Sequence, residues 1–253
     1  MSHASLLSRG WILKHLIALV IWISFIGLGF WQLARLEERR ALNAARLAVL
    51  DQNPLTLTGR EPDPAALIGR KVRVTGAYLN EASVVLRGQR SDSGVEGVHV
   101  LTPLRIAGSG SAVIVDRGWI PATRPEAVDL AAYAVTREVT VEGLARAPQT
   151  RPDSPLAPRD LPLPGQERIN AWVRVDVSRL QAQVSAPLLP LYIEQLPSGD
   201  GAALPRPRDP RQLDEGPHLS YAIQWFAFAV ILAVVYAALL RQQVREAGGR
   251  DLR

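Results

Sequence analysis

The sequence predicts an α+β membrane protein in which two transmembrane helices flank a β-rich extracytoplasmic domain, barrel-like or sandwich-like. Two apolar runs predict the helices, Leu16 to Ala34 and Leu219 to Leu240, each free of Asp, Glu, Lys and Arg. Short alternating segments between them, punctuated by Gly and Pro, predict the strands. At about 1.5 Å rise per residue each run is about 30 Å long, which matches the hydrocarbon thickness of a bilayer. The chain accordingly divides into a cytoplasmic tail at 1–15, a first span at 16–34, an outer domain at 35–217, a second span at 218–240 and a tail at 241–253. An outer segment of that length is large enough for a core of its own.

Trp11 and Trp31 bracket the first run where an interfacial belt places such rings, and Tyr221, Trp225 and Tyr236 mark the second. A buried core helix is the alternative for either run. A cleaved signal peptide is the alternative for the first, because Arg9 and Lys14 precede it and Gly27-Leu28-Gly29 offers a small-x-small pattern. The length and the missing charges favour an uncleaved anchor. Arg35, Arg39, Arg40 and Arg46 follow the first run, so positive charge flanks it on both sides. The short basic tails then decide orientation, with both termini cytoplasmic and the domain outside. The first span begins too early for an organelle presequence ahead of it, so a bacterial cytoplasmic membrane is the expected home. The chain has no cysteine, which excludes disulfides, thiolate metal sites and a Cys nucleophile. Its net charge of +5 comes from scattered Arg, not from a basic groove lined with stacking aromatics, and argues against a nucleic-acid partner.

Leu36 to Leu50 alternates charge with apolar residues and reads as a helical continuation of the first span, ended by Asn53-Pro54. The period then changes to two. Lys71 to Leu79, Asn80-Glu81 and Val84 to Leu86 read as a hairpin; Val98 to Ile106 and Ala112 to Ile120, joined across Ala107 to Ser111, read as a second; Val139 to Glu142 is a further strand. Ala147 to Gly165, with Pro148, Pro152, Pro155, Pro158, Pro162 and Pro164, is a loop or extended linker. A short strand at Trp172 to Val175, a short helix at Ser178 to Val184, a strand at Leu191 to Glu194 and an irregular basic stretch at Pro197 to Pro217 complete the domain.

His218 opens the second span directly after Pro217, a favourable first-turn residue. A helical wheel puts His218, Trp225, Ala229, Leu232 and Tyr236 on one stripe, with Tyr221 beside it. The stripe suits either an interfacial imidazole facing headgroups or an axial haem ligand with apolar rings below it. His15 lies at the far end of the first span, about 30 Å from His218, and cannot pair with it. His99, on a strand, reads as structural, and His3 belongs to the tail. Trp31 and Gln32 end the first span on the side of the membrane where His218 begins the second, and Gly27 and Gly29 offer close helix approach. Arg117-Gly118-Trp119-Ile120-Pro121 closes a strand; an exposed Arg beside a Trp can grip a carboxylate, and a structural Arg-to-carbonyl turn is the alternative. Arg206, Arg208 and Arg211 sit among prolines, placed to meet lipid phosphates or haem propionates. No nucleophile elbow, zinc helix or phosphate-binding Gly loop occurs in the sequence, so a non-enzymatic role is expected.

Five motifs in order, Gly29-Phe30-Trp31-Gln32-Leu33-Ala34-Arg35, Val72-Arg73-Val74-Thr75-Gly76, Thr102-Pro103-Leu104, Asp116-Arg117-Gly118-Trp119-Ile120-Pro121 and His218-Leu219-Ser220-Tyr221-Ala222-Ile223-Gln224-Trp225, make the chain resemble the Surfeit locus protein 1 family, assembly factors of haem-copper cytochrome oxidases. The resemblance spans nearly the whole chain. It implies transient holding or handing on of haem a during maturation of cytochrome c oxidase subunit I, with the haem a synthesis enzymes and membrane lipids as further partners. It also implies His218 as the haem-iron ligand; the stripe then puts Tyr221 and Trp225 in the cofactor site, and Trp31, Arg117 and Trp119 are expected as partner or propionate contacts. One departure is that Gly216-Pro217 precede His218 where the family often carries Asn. Two rival roles share these residues: a haem-independent scaffold for an oxidase subunit intermediate, and a two-pass ligand-binding receptor, against which the short tails count.

Overall fold

A computed structural model describes residues 8–91, 93–150, 154, 156–162, 164–199 and 203–250, with side chains as far as 245. His3, Pro152 and Pro155 lie outside the described residues. In chain order the elements are α1 (Arg9–Leu50), β1 (Leu55–Thr56), β2 (Lys71–Tyr78), β3 (Val84–Arg90), β4 (Glu96–Ile106), β5 (Ala112–Pro121), β6 (Val139–Arg146), β7 (Ala171–Trp172), α2 (Val177–Leu180), β8 (Leu188–Gln195) and α3 (His218–Arg250). They form two compact units, Met1–Arg46 with Leu213–Arg253, and Leu47–Gln212.

The first unit is the helix pair. Only 11 % and 6 % of the most apolar windows of α1 and α3 are buried, so neither is the core helix of a soluble fold, and both are long and apolar enough to cross a membrane. Their mutual seam follows the steps of three and four that bring residues of one helix face together. Phe25 packs on Trp225 and Phe228 with ring centroids 5.6 and 5.8 Å apart, Phe30 meets Phe226 edge-on at 5.4 Å, and His15 bonds the Tyr236 hydroxyl at the other end. Gly29 explains the close approach: a Cβ there would stand 2.5 Å from the Phe226 ring. Gly27, also expected to sit in the seam, has nothing within 4 Å of such a Cβ and faces outward. Beyond the apolar stretch α1 continues unbroken, as its charge pattern predicts. There Arg40 grips both oxygens of Glu215 at 2.9–3.0 Å, while Arg39 and Asn43 donate to the Asp214 carbonyl.

The second unit is a closed barrel. Strands run in the order β2-β6-β8-β5-β4, and β4 returns to β2 through the pairs Gly76↔Ile106, Ala77↔Arg105 and Tyr78↔Leu104. Closure removes two exposed sheet edges. Gly76 is required at this seam, since a Cβ would run into the Arg105 carbonyl. Val72, Val74, Leu104, Val113, Val115, Val141, Leu191 and Ile193 fill the interior. β4 and β5 are buried along almost their whole length because a second layer of Trp172, Val175, Val177 and Leu180 covers Leu101 and Ile114 from outside. That double cover is why the two strands read as near-continuous apolar runs.

β4 and β5 form the expected hairpin. The other expected hairpin does not form. β2 pairs with β6 and β4, whereas β3 pairs with β4 and β7, and a 3-10 turn at Asn80–Ala82 carries the chain between them. Closing the barrel satisfies both edges of β2 with distant partners, and this outweighs a local turn. Among its described residues the proline-rich stretch has no regular element, and it is held at Asp160, which is 1 % exposed, accepts the Val173 N–H, and faces Arg174 and Arg179 at 3.4 and 3.6 Å.

Candidate functional site

His218 is the first residue of α3, and the turn before it presents the ring. Gly216 adopts φ +75°, its N–H donates to Asp214 Oδ1 at 2.8 Å, and a Cβ on it would stand 3.3 Å from the imidazole. A side chain at 216 would therefore crowd His218 and would be strained in that backbone region. The ring is half-buried, with Nδ1 2.9 Å from Oε1 of Gln32, itself buried at the end of the α1 apolar stretch. An amide oxygen only accepts, so Nδ1 carries a proton, and in the neutral ring Nε2 keeps its lone pair. The bond that orients the ring thus comes from α1. A histidine whose far nitrogen is fixed this way is prepared as a metal ligand, because its tautomer and ring plane are set before the metal arrives.

Of the other residues expected in this site, Trp225 lies two turns along α3 from His218, half-buried against Phe25. Tyr221 is 46 % exposed on the outer flank and Trp31 is 54 % exposed beside Gln32 in sequence. His218, Gln32 and Trp225 thus belong to the seam, and Tyr221 and Trp31 flank it. Residues of the chemistry expected for a haem site are present: an imidazole nitrogen, apolar ring surface and no acid on these seam positions.

In the barrel unit Arg117 corrects the expectation of an exposed gripping group. It is 7 % exposed, its Nη1 donates to the Tyr133 carbonyl at 2.8 Å, and its guanidinium lies 4.8 Å over the Tyr78 ring. Burial lowers the Arg117 pKa and pushes the Tyr78 phenol up to about 12, with the guanidinium opposing the latter shift. The structural Arg-to-carbonyl turn is what forms. Trp119 is half-buried and bridges by backbone to Arg206, each N–H donating to the other's carbonyl at 2.8 Å. Gly118, at φ +108°, allows it, since a Cβ would strike the Arg206 carbonyl.

Two partnerships escaped sequence reasoning. Gln32 as the acceptor for His218 is one. The other is His99, whose Nδ1 lies 2.9 Å from Asp116 Oδ2 while Asp116 Oδ1 accepts the Gly118 N–H at 3.0 Å. His99 is thus structural, as expected, but it is paired. The register of the β4–β5 hairpin, with His99 opposite Trp119 and Leu101 opposite Asp116, was the available signal.

Fold and site together define a class: a cysteine-free five-stranded barrel inserted between two apolar helices, with an oriented histidine at the start of the second. Comparison with known families places residues 19–230 in one of them. The chain belongs to the SURF1 family, whose members are known in general as oxidase assembly factors. It is 28% identical to a SURF1-like protein of Monosiga brevicollis over 88% of this chain and 86% of that protein. It is 26% identical to one of Rickettsia felis over 91% and 98% of the two chains. Surfeit locus protein 1 of Takifugu rubripes is 22% identical over 90% of this chain and 97% of its own length.

Proposed function

We propose that this protein assists maturation of subunit I of a haem-copper cytochrome c oxidase in a bacterial cytoplasmic membrane, holding haem a transiently through His218. The observation that carries this reading is the Gln32–His218 hydrogen bond, which leaves one imidazole nitrogen with its lone pair at the start of an apolar helix. Bound haem would supply the redox-active iron that the oxidase requires, and the protein supplies placement. Gln32 holds the tautomer, Trp225 and the apolar seam below it exclude water, Tyr221 and Trp31 are contacts for the macrocycle or a partner, and Trp119, in the barrel unit, is a partner contact. In this reading the barrel lies outside the cytoplasm, a topology that two apolar spans with basic tails support. The haem a synthesis enzymes, as donors, and the surrounding lipids are the other partners of this reading.

Protein purified in mild detergent from cells that make haem a should show a Soret band. His218→Ala should lose that band at normal membrane level. Absence of the band from wild-type protein that still supports oxidase assembly would leave a haem-independent scaffold as the function.

A further inference from the structure

The barrel unit carries a basic pocket of about 170 Å³ whose walls include Arg90, Ser91, His99, Trp119, Arg206 and Arg208. Its construction differs from that of a solvated basic face. Arg206 is pinned to Trp119 by the two backbone hydrogen bonds, and Pro207, which fixes its own φ, separates it from Arg208. In extended chain, residues two apart point the same way, so Arg206 and Arg208 both reach the one cavity. The backbone at Arg206 is thereby ordered before any ligand binds, and the two exposed side chains are ordered by the ligand.

The charges in the pocket are unevenly matched. Arg90 is paired with Glu96 at 2.8 Å. Among the described residues, neither the Arg206 nor the Arg208 side chain has a hydrogen bond or an ion pair. His99 is held at Nδ1 by Asp116, which leaves Nε2 as its other polar atom. Trp119 forms an apolar wall, wedged against Gly97, where a Cβ would strike its indole nitrogen. Arginine forks and a serine hydroxyl come from two separate segments and face one volume instead of lying in one plane. That arrangement suits a tetrahedral oxyanion better than a flat carboxylate.

We propose that this pocket is a binding site for a phosphate group, either free or carried on a lipid headgroup. The site is independent of His218 and of haem. The test uses the full chain in dodecyl maltoside micelles, which contain no phosphate, with inorganic phosphate as the probe and its 31P line width as the readout. Wild-type protein should broaden the line saturably, and Arg206→Gln/Arg208→Gln should weaken that binding about tenfold or more, as loss of charge-assisted hydrogen bonds does. Arg208→Gln alone changes an exposed side chain outside any strand and should give part of the loss even where the double variant folds poorly. Phosphatidylglycerol added to the micelles separates the sources: it abolishes the inorganic phosphate signal if the headgroup is the ligand and leaves it unchanged if free phosphate is. Absence of saturable broadening by folded wild-type protein, or broadening by folded Arg208→Gln and folded double-variant protein equal to that of the wild type, would overturn the proposal.

Discussion

Gln32 and His218 form a polar contact in otherwise apolar surroundings, and the contact can be broken from either side. Gln32→Leu leaves the Nδ1–H without its acceptor, at a cost of about 1–3 kcal/mol, and frees the imidazole to rotate. Haem content per protein, measured as the pyridine haemochrome, should fall severalfold at unchanged membrane level, whereas Gln32→Glu keeps an acceptor and should retain it. Arg117 gives the opposite pattern. Its guanidinium serves the Tyr133 carbonyl and the Tyr78 ring, so Arg117→Lys should lower protein abundance and assembled oxidase in the same proportion. Asp160→Ala strands the buried Arg174 and should cost the barrel about 3–5 kcal/mol, read as a lower denaturant midpoint. Single residues were legible in the sequence where their neighbours are local, as with His218 and Trp225 on one helical stripe. Gln32 and Arg117 were not, because the groups that define them arrive from other elements.

Helix pairing turns on which glycine faces the partner. Gly29→Val sets side-chain atoms against Phe226 and should force α1 and α3 apart one turn from Gln32, while Gly27→Val should be silent. The absence of native cysteine makes this measurable: cysteines placed at Phe25 and Phe228 should cross-link readily in the parent protein and in Gly27→Val, and slowly in Gly29→Val. Existence of both helices, the length of α1 and the β4–β5 hairpin followed from hydropathy period and turn residues. The β2–β3 hairpin failed for an instructive reason. Asn80-Glu81 does turn the chain, but the strand pairing energy of β2 is realised with β6 and β4, and no local pattern encodes a barrel closing on itself.

For the whole molecule the testable statement is topology. Reporter fusions after Arg253 and within 147–165 should report cytoplasmic and external locations respectively, and an external C-terminus would reverse the orientation drawn from the basic tails. The two-helix, β-rich architecture was readable because bilayer thickness sets span length and because strand period shows in sequence. Strand order was not readable, since each barrel neighbour is a choice among strands of similar composition.

Gln32 and its partner are 186 residues apart in the chain. At about 5–20 residues per second of synthesis, about ten to forty seconds pass between the emergence of the first and the second. Throughout that interval α1 is in place with a polar amide and no mate. The barrel sequence is made in between, and its long-range strand pairings fold more slowly than a helix forms. The histidine arrives last. A ribosome that stops early, or a chain truncated before residue 218, therefore leaves a barrel and an α1 whose Gln32 never meets its imidazole.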